Sequence, residues 1–218
     1  MNDSKRDDTR KALFVAAIQV FGQKGYRDST VREICREAGS ANVNANNYYF
    51  GSKEELYREI LEYIFAEYDT FDLKHWDTLS PEEQLKAFIT NFCTLLYKES
   101  SLTSDITAIF VTEMTRPSPF IEELVDQYNR PRIRRHLRMM KALLGESATD
   151  NLARDCLVSV AGQLLYHSFA WPIFSRLFPD YSPARQYQAW ADHVYRFSLG
   201  GIESIKETNL LRTSNKND

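Results

Sequence analysis

The sequence predicts an all-α chain, and three observations carry that prediction. Apolar residues recur at the three- and four-residue intervals of a helix along nearly the whole chain. Ser and Thr caps, followed by proline or by glutamate three places on, mark helix starts, and Gly or Pro marks stops. Neither a convincing pair of alternating strands nor an internal repeat is present. The count is about nine or ten helices, and 218 residues are long enough for one ordinary domain or for a small one plus a medium one.

Each element follows in order. Leu13, Ala16, Ala17, Val20 and Phe21 fall on one face of a first helix, with Gly25 as its stop. Thr30 and Glu33 form a capping box for a short second helix lined by Val31, Ile34, Cys35 and Ala38, broken at Gly39. A third short segment spans about Val43 to Tyr49. Ser52 caps a fourth helix carrying Leu56, Ile60, Ile64 and Phe65. Ser80-Pro81-Glu82-Glu83 opens the next, which carries Leu85, Phe88, Ile89, Phe92, Leu95 and Leu96. Another runs from about Ser104 to Thr115. Ser118-Pro119 is expected to start the one after it, interrupted or kinked at Pro131 and closed at Gly145. Thr149 caps a helix expected to stop at Trp171-Pro172, followed by a short amphipathic piece from Ile173 to Phe178. Ser182-Pro183 starts a last helix expected to end near Lys206, leaving a frayed polar tail over 209–218.

Composition narrows the function classes. Apolar residues make up 43% of the 218, so a sizeable core can be buried. No stretch approaches the roughly 20 uncharged apolar residues that span a bilayer. The charged start, Asn2 to Asp8, is followed by no signal-peptide core, so no membrane partner and a cytoplasmic location are expected. Cys35, Cys93 and Cys156 are scattered and odd in number, which suits reduced core thiols. His75, His136, His167 and His193 lack metal-ligand spacing, so neither a metal nor another cofactor is expected. The net charge is −3, but residues 1–60 hold ten Lys/Arg against nine Asp/Glu while the remainder holds seventeen against twenty-one. The asymmetry is slight, so nucleic-acid binding would have to rest on local geometry.

Thr30 to Leu56 supplies that geometry. A capped short helix, a glycine-containing turn, a second short helix and a capped long helix have helix-turn-helix spacing. Such a unit lays its second helix in the major groove of double-stranded DNA. That helix carries Asn42, Asn44, Asn46 and Asn47; asparagine is a poor helix former but pairs in bidentate fashion with adenine. Tyr48 can place its hydroxyl on a phosphate, and Lys53 at a helix start suits one too.

The stretch resembles the DNA-binding domain of TetR-family regulators over about residues 10–57. The resemblance lies in Phe21-Gly22-x-x-Gly25-Tyr26, Ser29-Thr30-Val31-Arg32-Glu33-Ile34, Ala38-Gly39, and Asn47-Tyr48-Tyr49-Phe50-Gly51-Ser52-Lys53 followed by Glu54-Glu55-Leu56, in the family's order. The last run is similar to a family subgroup with an Asn/Thr-Tyr-His/Tyr-Phe-Gly ending, and Glu113-Met114-x-x-Pro117-Ser118-Pro119 resembles that subgroup's C-terminal domain. Two departures stand out. The turn from Gly39 to Val43 is one residue longer than the family's usual one, and Asn46 falls where the family prefers an apolar residue.

The resemblance implies an N-terminal three-helix DNA-binding domain over 1–57 and a ligand-sensing, dimerising helical bundle over 58–208. It implies DNA contacts from Thr30, Arg32, Asn42, Asn44, Ala45, Asn47, Tyr48 and Lys53. It also implies a small-molecule effector of apolar or aromatic character, for which Phe92, Tyr97, Phe110, Glu113, His136, Tyr166, His167 and Trp171 are the candidates. The helices at about 150–170 and 183–206 would form a homodimer, with Ala161-Gly162 and Gly200-Gly201 allowing close approach. Together these imply a ligand-responsive repressor on a palindromic operator. Two rival classes are an all-helical enzyme using Glu113 with His136 or His167, and a module that uses the helical hairpin only for protein contact. No nucleophile–base spacing or phosphate-cradling loop favours the enzyme.

Overall fold

The computed structural model describes residues 2–40, 42, 44–70, 75–98 and 100–214, and all regular structure among them is helical. In order these are α1 (Asn2–Asp28), α2 (Val31–Glu37), α3 (Ala45–Phe50), α4 (Lys53–Thr70), a 3₁₀ turn (Trp76–Thr78), α5 (Pro81–Tyr97), α6 (Thr103–Thr115), α7 (Ile121–Leu124), a π turn (Val125–Asn129), α8 (Arg130–Leu144), α9 (Asp150–Leu177) and α10 (Pro183–Ser214). They fall into two compact units.

The first unit is Met1–Glu67 with Glu99–Val125. It therefore joins the helix-turn-helix to α6 and α7, and α4 runs through residue 57 without a break. Gly25 interrupts α1 at φ 79°, ψ 163°, a backbone that L side chains rarely adopt. Leu13, Ala17, Phe21, Ile34, Leu56, Tyr57, Ile60 and Leu61 form a core with 0–1% exposure. Helix α6 lies directly on α1: a Cβ at Gly22 would sit 2.6 Å from the Asp105 Cβ and 2.7 Å from its Cα. Only glycine fits that crossing.

The second unit is Tyr68–Lys98 with Asp126–Asp218. Helix α5 starts on the predicted capping box, in which the Ser80 N–H donates to Glu83 Oε2 at 2.8 Å and the Glu83 N–H to Ser80 Oγ at 3.3 Å. Helix α10 packs along α5, and α8 packs against α9. Leu85, Ile89, Cys93, Met140, Leu144, Leu164 and Val194 are fully buried between them.

Three expected boundaries move, and a fourth takes an unexpected form. Ser118-Pro119 starts no helix: α7 begins at Ile121, and Ser118 is buried with its N–H and hydroxyl given to Glu113. The interruption expected at Pro131 takes the form of the π turn: α7, the π turn and α8 follow one another without a gap, and the π turn ends at Asn129, two residues before the proline. Helix α9 does not stop at Trp171-Pro172 but runs on to Leu177. Ring contacts of Tyr166 and Trp171 with Phe174 span the proline and offset its one lost hydrogen bond. Helix α10 continues past Lys206 to Ser214, helped by the Asn209 amide, which donates to Ser147 O at 3.2 Å and Oγ at 3.0 Å.

Candidate DNA-binding face

The capped hairpin of α2 and α3 is built by short-range hydrogen bonds. The Thr30 N–H donates to Glu33 Oε2 at 2.9 Å, and the Glu33 N–H donates to Thr30 Oγ1 at 3.3 Å. Lys24 from α1 donates to Glu33 Oε1 at 2.5 Å. The bond from Lys24 first, and then the two from Thr30, pull the Glu33 carboxyl down to about 2. Ile34 and Cys35 are buried beneath α2, which leaves Arg32 and Arg36, one turn apart, exposed on its outer side.

Between the helices the Asn42 side chain accepts the Asn44 N–H at 3.0 Å, a local turn that sets where α3 begins. Val43, the expected start of the segment, lies outside the described residues. Asn44 occupies the N-cap position, and α3 spans only six residues before Gly51 ends it at φ 80°. Its outward side chains are Asn44, Asn47 and Tyr48, the last 63% exposed. Its inward ones are Ala45, Asn46 and Phe50.

Two expected contacts are therefore placed differently. Ala45 is 6% exposed and sits under α3, because the cap at Asn44 rotates the short helix so that position 45 faces the core. Lys53 points its ammonium at backbone oxygens, donating to Tyr26 O at 2.8 Å and Ser29 O at 2.9 Å over the Tyr26 ring. It ties the start of α4 to the end of α1. The Tyr26 phenol is pushed up to about 12 by burial and then by Glu54, to which it donates at 3.0 Å.

Thr30, Arg32, Asn42, Asn44, Asn47 and Tyr48 remain exposed. Two cations missed in the sequence join them. Arg6 from α1 reaches the Tyr48 hydroxyl and lies 5.5 Å from its ring, and Arg36 sits one turn beyond Arg32. The four-residue repeat of arginine on α2 could have signalled Arg36; Arg6 lies 42 residues from Tyr48 and left no local trace. Chemically this surface offers guanidiniums and a phenol to phosphates and paired amides to base edges.

The eight effector candidates are divided between the two units. Phe110 and Glu113 belong to the first unit, the others to the second. Phe110 lies 6.5 Å from Phe65, and Glu113 accepts from Tyr57 and Ser118. In the second unit Phe92 and Tyr97 are core residues; the Tyr97 hydroxyl donates to Leu164 O at 2.7 Å, and burial pushes it up to about 12. His136 packs 4.3 Å from the Phe88 ring and 5.5 Å from Trp76, and burial pushes it down to about 3. Tyr166 is 58% exposed and Trp171 half-buried, both beside Phe174. The His167 side chain lies outside the described residues. Among the described residues no three His, Cys, Asp or Glu side chains gather as metal ligands, and no helix is long and apolar enough to cross a membrane.

Comparison with known proteins agrees with this architecture. The chain is similar to the HTH-type transcriptional repressor NicS of Pseudomonas putida, 34% identical over 84 residues that cover 38% of this chain and 39% of that protein. It is similar to the HTH-type transcriptional dual regulator CecR of Shigella flexneri, 43% identical over 60 residues covering 28% and 26%. The chain thus matches well under half the length of these two relatives. In fold it is similar to a linker variant of HlyIIR, with a TM-score of 0.63 at 18% identity, covering 88% of this chain and 95% of that one. The relatives are named as regulators of transcription, not as enzymes. Residues 13–60 match the family model for bacterial regulatory proteins of the tetR family. Residues 81–202, more than half of the chain, match the C-terminal domain of the HTH-type transcriptional dual regulator CecR. The chain belongs to the TetR family of bacterial regulatory proteins.

Proposed function

We propose that this chain is a ligand-responsive transcriptional repressor of the cytoplasm that binds a palindromic operator as a homodimer. The observation that carries the reading is the capped α2–α3 hairpin with Arg32, Arg36, Asn44, Asn47 and Tyr48 all directed to solvent. Water hydrates these groups in the free chain, and duplex DNA offers matching partners for all of them, phosphates for the guanidiniums and phenol and base edges for the amides.

The homodimer rests on a second observation. Val158, Tyr166, Phe169, Ile173 and Leu177 on α9 are 41–66% exposed, and with Gly162 they follow at intervals of four, four, three, four and four. Phe197 on α10 is 65% exposed, near Gly200 and Gly201, where an added Cβ would meet open space. A stripe of this extent marks an interaction face, and pairing it with a second copy hides it. Twofold pairing also gives two recognition helices, which sample successive major grooves when about 34 Å apart. An apolar or aromatic effector in the helical bundle would act by binding more tightly to the state in which those helices are misplaced.

The test is selection of bound sites from random duplex DNA followed by salt titration of the winner. A palindromic consensus with steep salt dependence is expected. Weak binding that is indifferent to sequence overturns the operator reading for the free protein.

A further inference from the structure

Helix α8 is the most basic segment of a chain whose net charge is −3: Arg130–Leu144 holds six Lys/Arg and no Asp/Glu. Four of the six are engaged. Arg130 donates to Asp126 at 3.0 Å, Arg132 to Asn129 at 3.1 Å, Arg135 lies over the Trp76 ring, and Lys141 pairs with Asp150. Arg134 and Arg138, one turn apart on the same face, have no acidic partner among the described residues.

Those two arginines border a groove of about 630 Å³ between α8 and α9. Its floor is hydrocarbon from Ile133, Leu137 and Leu157, with Ile133 45% exposed; Val158, at the α9 edge of the groove, belongs to the stripe assigned above to the second copy. Arg154 stands on the opposite rim and is paired with Asp155 at 3.0 Å; Asp150, already on Lys141, is the one carboxylate among the lining residues. From Ile133 to Lys141 the groove follows two turns of α8, about 12 Å. Both guanidiniums, of Arg134 and Arg138, are exposed and hydrated in the free chain, so water alone serves them but leaves the apolar floor uncovered. A DNA backbone would pair with the guanidiniums but has no use for the apolar floor. A second copy seated through this same patch would bring arginines against arginines.

The geometry points to a binding site for a free anionic amphiphile, a single acyl chain with a carboxylate head. The chain lies on Ile133, Leu137 and Leu157, and the head pairs with Arg134 and Arg138. Arginine suits this role because its planar fork takes a carboxylate with two hydrogen bonds. The site uses none of the effector candidates named above, and it stands or falls independently of DNA binding.

The experiment is calorimetric titration of the full chain with sodium dodecanoate, below micelle formation and without DNA. Dodecyltrimethylammonium and acetate serve as tail-only and head-only controls. Saturable binding of one dodecanoate per chain is expected, at least about tenfold tighter than either control. The exposed double substitution Arg134→Gln/Arg138→Gln should weaken it about tenfold or more with the melting temperature unchanged, and Ile133→Gln should weaken it separately. The proposal is overturned by absent or non-saturable binding, by equal affinity for the cationic amphiphile, or by binding that ignores the substitutions. It is also overturned if the chain binds only anionic vesicles, which makes the patch a membrane-facing surface. A change of sedimenting mass in the double variant overturns it too, making the groove a contact between copies.

Discussion

The hydroxyl of Tyr57 donates to Glu113 Oε1 at 2.8 Å, joining α4 to α6 across 56 residues of sequence. Both side chains are buried, at 1% and 4% exposure, and the other carboxylate oxygen accepts the Ser118 N–H at 3.0 Å and its hydroxyl at 2.9 Å. Burial first, and then the neighbouring carboxylate, push the Tyr57 phenol well above its ordinary range, so it stays a donor. A buried carboxylate held by three donors fixes where α6 sits on the helix-turn-helix. Tyr57→Phe should therefore cost about 1.5–3 kcal/mol, the range for a hydrogen bond to a charged group. Glu113→Ala should cost more, because it strands several buried donors at once. Urea unfolding of both single variants and the double one gives the coupling, expected between about 0.5 and 3 kcal/mol; additive losses would show that the pair does not act as a unit.

Asn46 poses the opposite case. It is 0% exposed on the inner side of α3, and neither its Oδ1 nor its Nδ2 has a hydrogen-bond partner. Each unmatched buried amide atom costs about 1–3 kcal/mol, and a helix of six residues has few contacts to offset it. Replacement by Leu, of similar branching, should raise the unfolding free energy by about 1 kcal/mol or more. Thermal melting of Asn46→Leu decides the matter: a lower melting temperature means that the amide has a stabilising role after all.

This asparagine also shows where sequence reading succeeds and where it ends. The capping boxes at Thr30/Glu33 and Ser80/Glu83 are legible because both partners lie within one turn, and both form. The two-domain, all-helical plan is legible because apolar spacing repeats over each long helix. The phase of α3 is not. One hydrogen bond from Asn44 to Asn42 decides whether Ala45 or its neighbours face outward, and a six-residue helix has too little periodicity to announce it. The partners of Lys53, the contact of Arg6 with Tyr48 and the bond of Tyr97 to Leu164 join residues 24 to 67 positions apart, which only the fold brings together. Pro172 misleads in the other direction: a local stop rule meets aromatic contacts that carry α9 past it.

His136 gives the chain an acid-sensitive core. Burial, and next the charges of Arg135 and Arg132, hold it down at about 3 in the folded state, against 6.5 ordinarily. Between those values the unfolded chain takes up a proton that the folded chain refuses, so stability falls as pH falls. The slope from this residue is at most about 1.4 kcal/mol per pH unit, and the contribution is constant above pH 6.5. His136→Leu removes it. Urea unfolding at pH 7 and pH 5 should show a smaller acid loss in the variant than in the parent; equal losses would place the acid sensitivity in the carboxylates.

The exposed residues of the hairpin should separate into two classes on the selected operator. Arg32 and Arg36 sit on α2, the helix that crosses the sugar-phosphate backbone in this kind of hairpin, so their contribution is charge. Arg32→Ala and Arg36→Ala should each weaken binding to all sequences alike and lower the slope of log affinity against log salt by about 1. Asn44 and Asn47 carry no charge and project from α3. Changing either to Ala should leave the salt slope unaltered, cost about 1–3 kcal/mol on the operator, and relax the preference at one base pair of each half-site. Fluorescence anisotropy over a salt series, on the consensus duplex and on single-base variants, separates the two behaviours. If the asparagine variants lose affinity equally on every duplex, α3 is holding the backbone, and the sequence is being read from another part of the chain.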